Sequence, residues 1–162
     1  NYLSDESKNI VSIEDPIEIP FPKINQIELV PQQGFQLSQT LRIVLRQDPD
    51  IILIGEIRDE ETAKLSIEAS QTGHLVFSSL HSHDCLASIE RLKHLGVCEH
   101  DIENNIHLII AQKLIPTPEG KQLAIFEFLE LDTDCPKVNF RFQEQLFELF
   151  EKKIIDYPMI YA

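Results

Sequence analysis

Leu41-Arg42-Ile43-Val44-Leu45-Arg46-Gln47-Asp48-Pro49-Asp50-Ile51-Ile52-Leu53-Ile54-Gly55-Glu56-Ile57-Arg58-Asp59 joins two patterns in one short stretch. Its first part continues a helical period: Leu37, Leu41, Val44 and Leu45 share one face, while Arg42 and Arg46 lie elsewhere. Its second part, Ile51 to Ile54, is short, branched and not alternating, as in a strand buried on both faces of a parallel sheet. The run stops abruptly in Gly55-Glu56-Ile57-Arg58-Asp59. Two other runs share this design. Ile10-Val11-Ser12-Ile13 stops at Glu14-Asp15-Pro16, and Leu75-Val76-Phe77-Ser78 stops at Leu80-His81-Ser82-His83-Asp84. In open parallel sheets that carboxyl edge is where ligands bind.

Helical patterns lie between the strands. Asp59 is placed to cap a helix running through Gln71, with Glu60 and Glu61 in its first turn and Gly73 beyond its end. Asp84 begins another, carrying Leu86, Ile89, Leu92 and Leu95 up to Gly96. A fourth is expected from Asp101 to Leu114. This alternation predicts an α/β fold, a mostly parallel sheet flanked by helices. Residues 17 to 33, with Pro20, Pro22 and Pro31 and with Pro16 just before, read as a lobe or hairpin at the rim holding an edge strand near Ile27 to Val30. After Pro116-Thr117-Pro118-Glu119-Gly120 a strand over Leu123 to Leu131 and an amphipathic helix over Phe142 to Lys153 follow. The expected division is therefore 1–115 and 116–162.

Composition narrows the function. The 162 residues are enough to bury about two-thirds of the unfolded surface in one core. No apolar run reaches spanning length and the first residues are acidic and polar, so the expectation is a cytoplasmic protein. Cys85, Cys98 and Cys135 form no C-x-x-C pair, which speaks against a disulfide framework and a four-cysteine zinc site. A net charge of -13 repels a phosphate backbone, so no nucleic-acid partner is expected. The start without methionine, in what reads as the tail of a helix, suggests a fragment.

Among chemistry-bearing residues, Glu56 ends a buried strand as the Walker B carboxylate of nucleotide-hydrolysing motors does, suited to magnesium or to water beside a triphosphate. An acid after a buried strand is also a common helix cap, and the segment alone leaves both open. Glu14 and Asp15 end the first strand in the same way, and a parallel sheet would bring them beside Glu56, where clustered acids suit a cation or a general base. An Asp-Pro turn beside a solvated Glu is the bland alternative. His74, His81, His83, Asp84 and Cys85 are of zinc-ligand type, but the strand between His74 and His81 carries those rings to opposite ends of the sheet. His81, at the carboxyl end, is the better placed for phosphate, unless it merely caps the strand.

Taken in order, Ser12-Ile13-Glu14-Asp15-Pro16-Ile17-Glu18, the stretch from Leu41 to Asp59, and Thr72-Gly73-His74-Leu75-Val76-Phe77-Ser78-Ser79-Leu80-His81 resemble the secretion ATPase family, over residues 10 to about 115. That family includes type II secretion system protein E and the type IV pilus assembly and retraction ATPases. The resemblance implies a RecA-like P-loop NTPase fold that uses ATP and Mg2+ as a hexamer. It implies that Glu14 activates the attacking water with Asp15 in support, that Glu56 is the Walker B glutamate, that Arg58 braces the pocket, and that His74 and His81 link the phosphates to sheet and subunit movement. Partners by resemblance are further copies of the chain and an inner-membrane platform protein, with the motor on the cytoplasmic side, peripheral to that membrane.

The departures are specific. No G-x-x-x-x-G-K-[ST] occurs: of Gly34, Gly55, Gly73, Gly96 and Gly120 only the last precedes a lysine, and Gln122 follows. In relatives that loop lies upstream of the part resembled here, together with a domain that lends arginines to the next subunit. The zinc module that many relatives carry after the segment resembling Ala111-Gln112-Lys113-Leu114 is replaced by Ile115-Pro116, His83 stands where relatives more often have a small polar residue, and the resemblance is not extended past about Asp132. The expectations are a motor fragment, inactive by itself, or a non-catalytic regulatory or scaffolding homologue. Half a motor is also expected to leave apolar surface beside Ile10 to Ile13 and near the amino terminus.

Overall fold

The computed structural model describes residues 8–30, 36–131, 137–139 and 141–155. The expected helix tail at the amino terminus, Gly34 and Cys135 lie outside them. The elements are β1 (Ile10–Glu14), β2 (Asn25–Glu28), α1 (Leu37–Val44), β3 (Ile51–Glu56), α2 (Glu60–Gln71), β4 (Leu75–Ser79), α3 (Cys85–His94), α4 (Glu99–Asn105), β5 (Leu108–Pro116), β6 (Gln122–Glu130), β7 (Lys137–Asn139) and α5 (Phe142–Glu151). Two compact units result. The described residues up to His81 form the first together with Leu92–Cys98, and Ser82–Arg91 form the second with those from Glu99 onward.

The first unit holds a parallel sheet in the order β2-β1-β3-β4. Its core is the cluster the apolar runs predict: Val11, Ile13, Ile52 and Ile54 from the strands meet Leu41 and Val44 of α1 and Leu65 and Ala69 of α2. Leu41, Val44 and Ile52 are fully buried, and an aliphatic side chain of this size contributes about 1.5–3 kcal/mol on full burial. Asp59 caps α2 as its position implies, its Oδ1 accepting the Thr62 amide at 2.8 Å.

Three expectations change in this unit. β2 is an edge strand, but it runs parallel to β1, so residues 15–24 form a crossover loop instead of a hairpin. β1 is covered on both flanks by β2 and β3, and Ile10, Val11 and Ile13 are buried, so among the described residues there is no apolar flank beside them. The exposed flank belongs to β4, where Leu75 and Phe77 are each 44% exposed, because β4 pairs only with β3 among the described residues. Apolar composition alone did not separate a central strand from an edge strand.

In the second unit β5, β6 and β7 form an antiparallel sheet. The helix expected over Asp101 to Leu114 is corrected: α4 ends at Asn105, and β5 begins at Leu108. Pairing decides the conformation, since β5 and β6 match from Leu108 opposite Glu130 to Pro116 opposite Gln122, and Ala111 and Ile115 turn to the buried face. Position 116, the expected boundary, thus lies inside a hairpin, which the Pro118-Glu119-Gly120 segment closes with Gly120 at φ +77°. The strand near Leu123 to Leu131 and the helix from Phe142 appear at their expected places as β6 and α5.

Candidate functional site

Parallel register assembles the site. Ile13 lies opposite Ile54, so β1 and β3 end side by side and release Glu14 and Glu56 at one edge. Gly55 makes this proximity possible. A Cβ at residue 55 would stand 3.1 Å from the Ile13 carbonyl oxygen and 3.5 Å from Glu14 Cα, inside the backbone of the neighbouring strand end. On the other flank the register with β4 shifts between Ile54 and Glu56, and Ser79 Oγ donates to the Gly55 carbonyl at 2.5 Å.

Glu56 is largely enclosed, its side chain 18% exposed. His81 Nε2 lies 2.7 Å from its Oε2, and Arg58 Nε pairs with its Oε1 without hydrogen-bond alignment. Arg58 and His81, read separately from the sequence, therefore converge on one carboxylate. Their own side chains are 67% and 90% exposed, so both remain free to turn toward an incoming anion.

Glu14 is held differently. Its Oε1 accepts from Ser12 Oγ at 2.6 Å and from Gln26 Nε2 at 2.9 Å, whereas Oε2 has no protein partner among the described residues. Two donors on one oxygen orient the carboxylate and leave the other available as a proton acceptor. Asp15 is exposed beside it, where the chain turns through the cis Asp15–Pro16 peptide bond.

A cleft of about 1150 Å³ opens over this edge. Glu14, Asp15, Glu18, Glu56, Asp59 and Glu61 line it against Arg58 as the basic residue among the described ones. Such an imbalance favours a cation. No three His, Cys, Asp or Glu side chains converge as a protein-only metal cage among the described residues. Magnesium asks for less: it keeps several waters and takes one or two carboxylates plus phosphate oxygens. Glu56 suits such a ligand once Arg58 and His81, which face its two oxygens here, swing toward the phosphates.

His74 is not part of this assembly. It sits before β4, where its Nδ1 lies 2.9 Å from the Ala69 carbonyl and 3.0 Å from Thr72 Oγ1, closing the end of α2. A five-residue strand at about 3.3 Å per residue separates it from the carboxyl edge by roughly 16 Å. Ser12 and Gln26, which hold Glu14, carry no motif signal of their own. The parallel pairing of Ser12 with Gln26 reveals them, and strand pairing is invisible in a single sequence.

Comparison with known proteins bears on the family and the fold. The model of the family described as type II/IV secretion system protein matches residues 1–154. Over 114 residues the chain is 48% identical to the protein transport protein HofB homolog of Haemophilus influenzae and 47% identical to the type IV pilus assembly ATPase PilB of Pseudomonas aeruginosa. Each match covers 70% of this chain but only 25% and 20% of those proteins. Among solved structures, the ATPase DotB of Legionella pneumophila superposes with a TM-score of 0.83 at 25% identity, over 98% of this chain and 52% of DotB. The chain thus spans about a quarter of the curated relatives and half of the structural one. Its α/β architecture is that of the RecA-like P-loop NTPases, and among the described residues no helix is long and apolar enough to cross a membrane. On the family match over nearly its whole length, the chain belongs to the type II/IV secretion system protein family.

Proposed function

We propose that this chain carries the water-activating and magnesium-facing half of an ATP-hydrolysing motor for type IV pilus assembly or type II secretion. The observation that supports this most is the release of Glu14 and Glu56 at adjacent parallel strand ends, in a cleft rich in carboxylates. When bound, magnesium would supply charge neutralisation at the phosphates, with Glu56 as its protein ligand, directly or through water. Glu14 accepts a proton from the water that attacks the terminal phosphorus, and Ser12 donates to its other oxygen. Arg58 and His81 hold Glu56, and Asp15 adds to the acidic field. His74, remote from the carboxylates, is assigned to the sheet movement that couples hydrolysis to the neighbouring subunit.

The 162 residues contain no G-x-x-x-x-G-K-[ST], so phosphate donors would come from a part of the parent protein outside them. The working form is a homohexamer acting on an inner-membrane platform protein from the cytoplasmic side, without zinc and without nucleic acid. The same lack of a loop favours a second reading, a non-catalytic scaffolding homologue. The test is steady-state kinetics with nucleotide binding on the full-length protein. Glu14→Gln and Glu56→Gln should each lower turnover at least about tenfold with ATP binding retained. Parallel loss of binding would remove the assigned roles, and a full-length protein that binds its partners but hydrolyses no ATP would establish the scaffold.

A further inference from the structure

Gln26 lies on β2 opposite Ser12, which places both on one face of the sheet with Glu14 two residues beyond Ser12. Its carboxamide makes three hydrogen bonds. Nε2 donates to Glu14 Oε1 at 2.9 Å and to the Ile19 carbonyl at 3.1 Å, and Oε1 accepts the Phe21 amide at 2.6 Å. The orientation is chemically fixed, since a flipped amide would set oxygen against the Glu14 carboxylate and the Ile19 carbonyl. The group it ties to Glu14 is the turn holding Ile19 and Phe21, 61% and 51% exposed, both of which line the cleft.

We propose that Gln26 is a positioning residue for ATP hydrolysis, aiming Glu14 and binding it to the Ile19–Phe21 turn at the cleft mouth. The inference rests on the reading of Glu14 as the group that activates water. One side chain senses the turn and sets the acid, so displacement of the turn by a bound molecule or a neighbouring subunit withdraws a donor from Glu14. The Ser12 hydroxyl alone does not fix a carboxylate, because one donor leaves rotation about that bond free.

Two experiments decide it. In the full-length protein, Gln26→Leu should speed amide hydrogen exchange at Phe21 by about tenfold, because the amide loses its acceptor. Unchanged exchange would overturn the proposed tie. In the full-length protein, Gln26→Leu should lower kcat roughly tenfold with KM for ATP within about twofold, since phosphate-binding groups are untouched. Gln26→Glu, of equal size, should fall further because it sets a carboxylate against Glu14, and Gln26→Leu combined with Glu14→Gln should be no slower than Glu14→Gln alone. Normal kcat in Gln26→Leu beside a loss in Glu14→Gln would refute positioning while sparing the role of Glu14. Full turnover by Glu14→Gln would remove the water-activation reading and the inference with it.

Discussion

Gly55→Ala isolates the fit between β1 and β3. The added methyl meets the Ile13 carbonyl oxygen at 3.1 Å and Glu14 Cα at 3.5 Å, so the strand end must yield by a few tenths of an ångström. Overpacking of this kind costs about 1–3 kcal/mol. Replacing glycine returns about 0.4–1 kcal/mol by restricting the unfolded chain. The net is a loss of about 1 kcal/mol, and with a urea slope of about 2 kcal/mol per molar the unfolding midpoint should fall by about 0.5 M. Gly73→Ala is the control: nothing lies within 4 Å of its Cβ, but its φ of +93° costs an L residue roughly 1–2 kcal/mol. Both variants should be destabilised, yet only Gly55→Ala moves Glu14 against Glu56, so only it should lower turnover per folded full-length protein. Urea unfolding followed by circular dichroism, paired with ATPase assays, reads both quantities. An unchanged or higher midpoint for Gly55→Ala, or equal loss of turnover in the two variants, would refute the close-approach argument.

Asp59→Ala removes the cap on Thr62 and should cost about 1 kcal/mol in the same urea assay. The Asn9 backbone amide, and after it Lys8, hold the Asp50 carboxyl below its ordinary 3.8. A lowered native value contributes stability above 3.8 that is lost as pH falls through the lowered native value, so Asp50→Asn should be less stable at pH 7 by urea midpoint, and the difference should shrink as pH is taken below 3.8. Burial pushes the Cys85 thiol up to about 11, with the charge of Glu127 adding to it. The neutral thiol is the native form, so its contribution is complete below 9.0 and lost as pH rises through about 11. In a chain with Cys98→Ser and Cys135→Ser, pulsed alkylation of Cys85 should keep accelerating to near pH 11, where an ordinary thiol levels off near 9.

The edge that positions the candidate site was legible because its signals are local. Ile51 to Ile54 is too branched and too short for anything but a buried strand, and Asp59 followed by Glu60, Glu61 and Thr62 announces a helix start. Pairing was not legible. The exposure of β4, the parallel course of β2 and the β5–β6 hairpin all depend on which strand lies beside which. Ala111 and Ile115, four residues apart, fit one face of a helix as well as one face of a strand, and the β6 partner settles it. The same limit hid Gln26, whose role comes from register with Ser12, and the joint hold of Arg58 and His81 on Glu56.

ATP turnover, measured side by side for the purified 162-residue chain and for the full-length protein with and without Glu56→Gln, tests the central claim most directly. The expected result is no turnover by the chain alone, turnover by the full-length protein, and a loss of at least about tenfold in Glu56→Gln with ATP still bound. Robust hydrolysis by the isolated chain, or unchanged hydrolysis after Glu56→Gln, would contradict it.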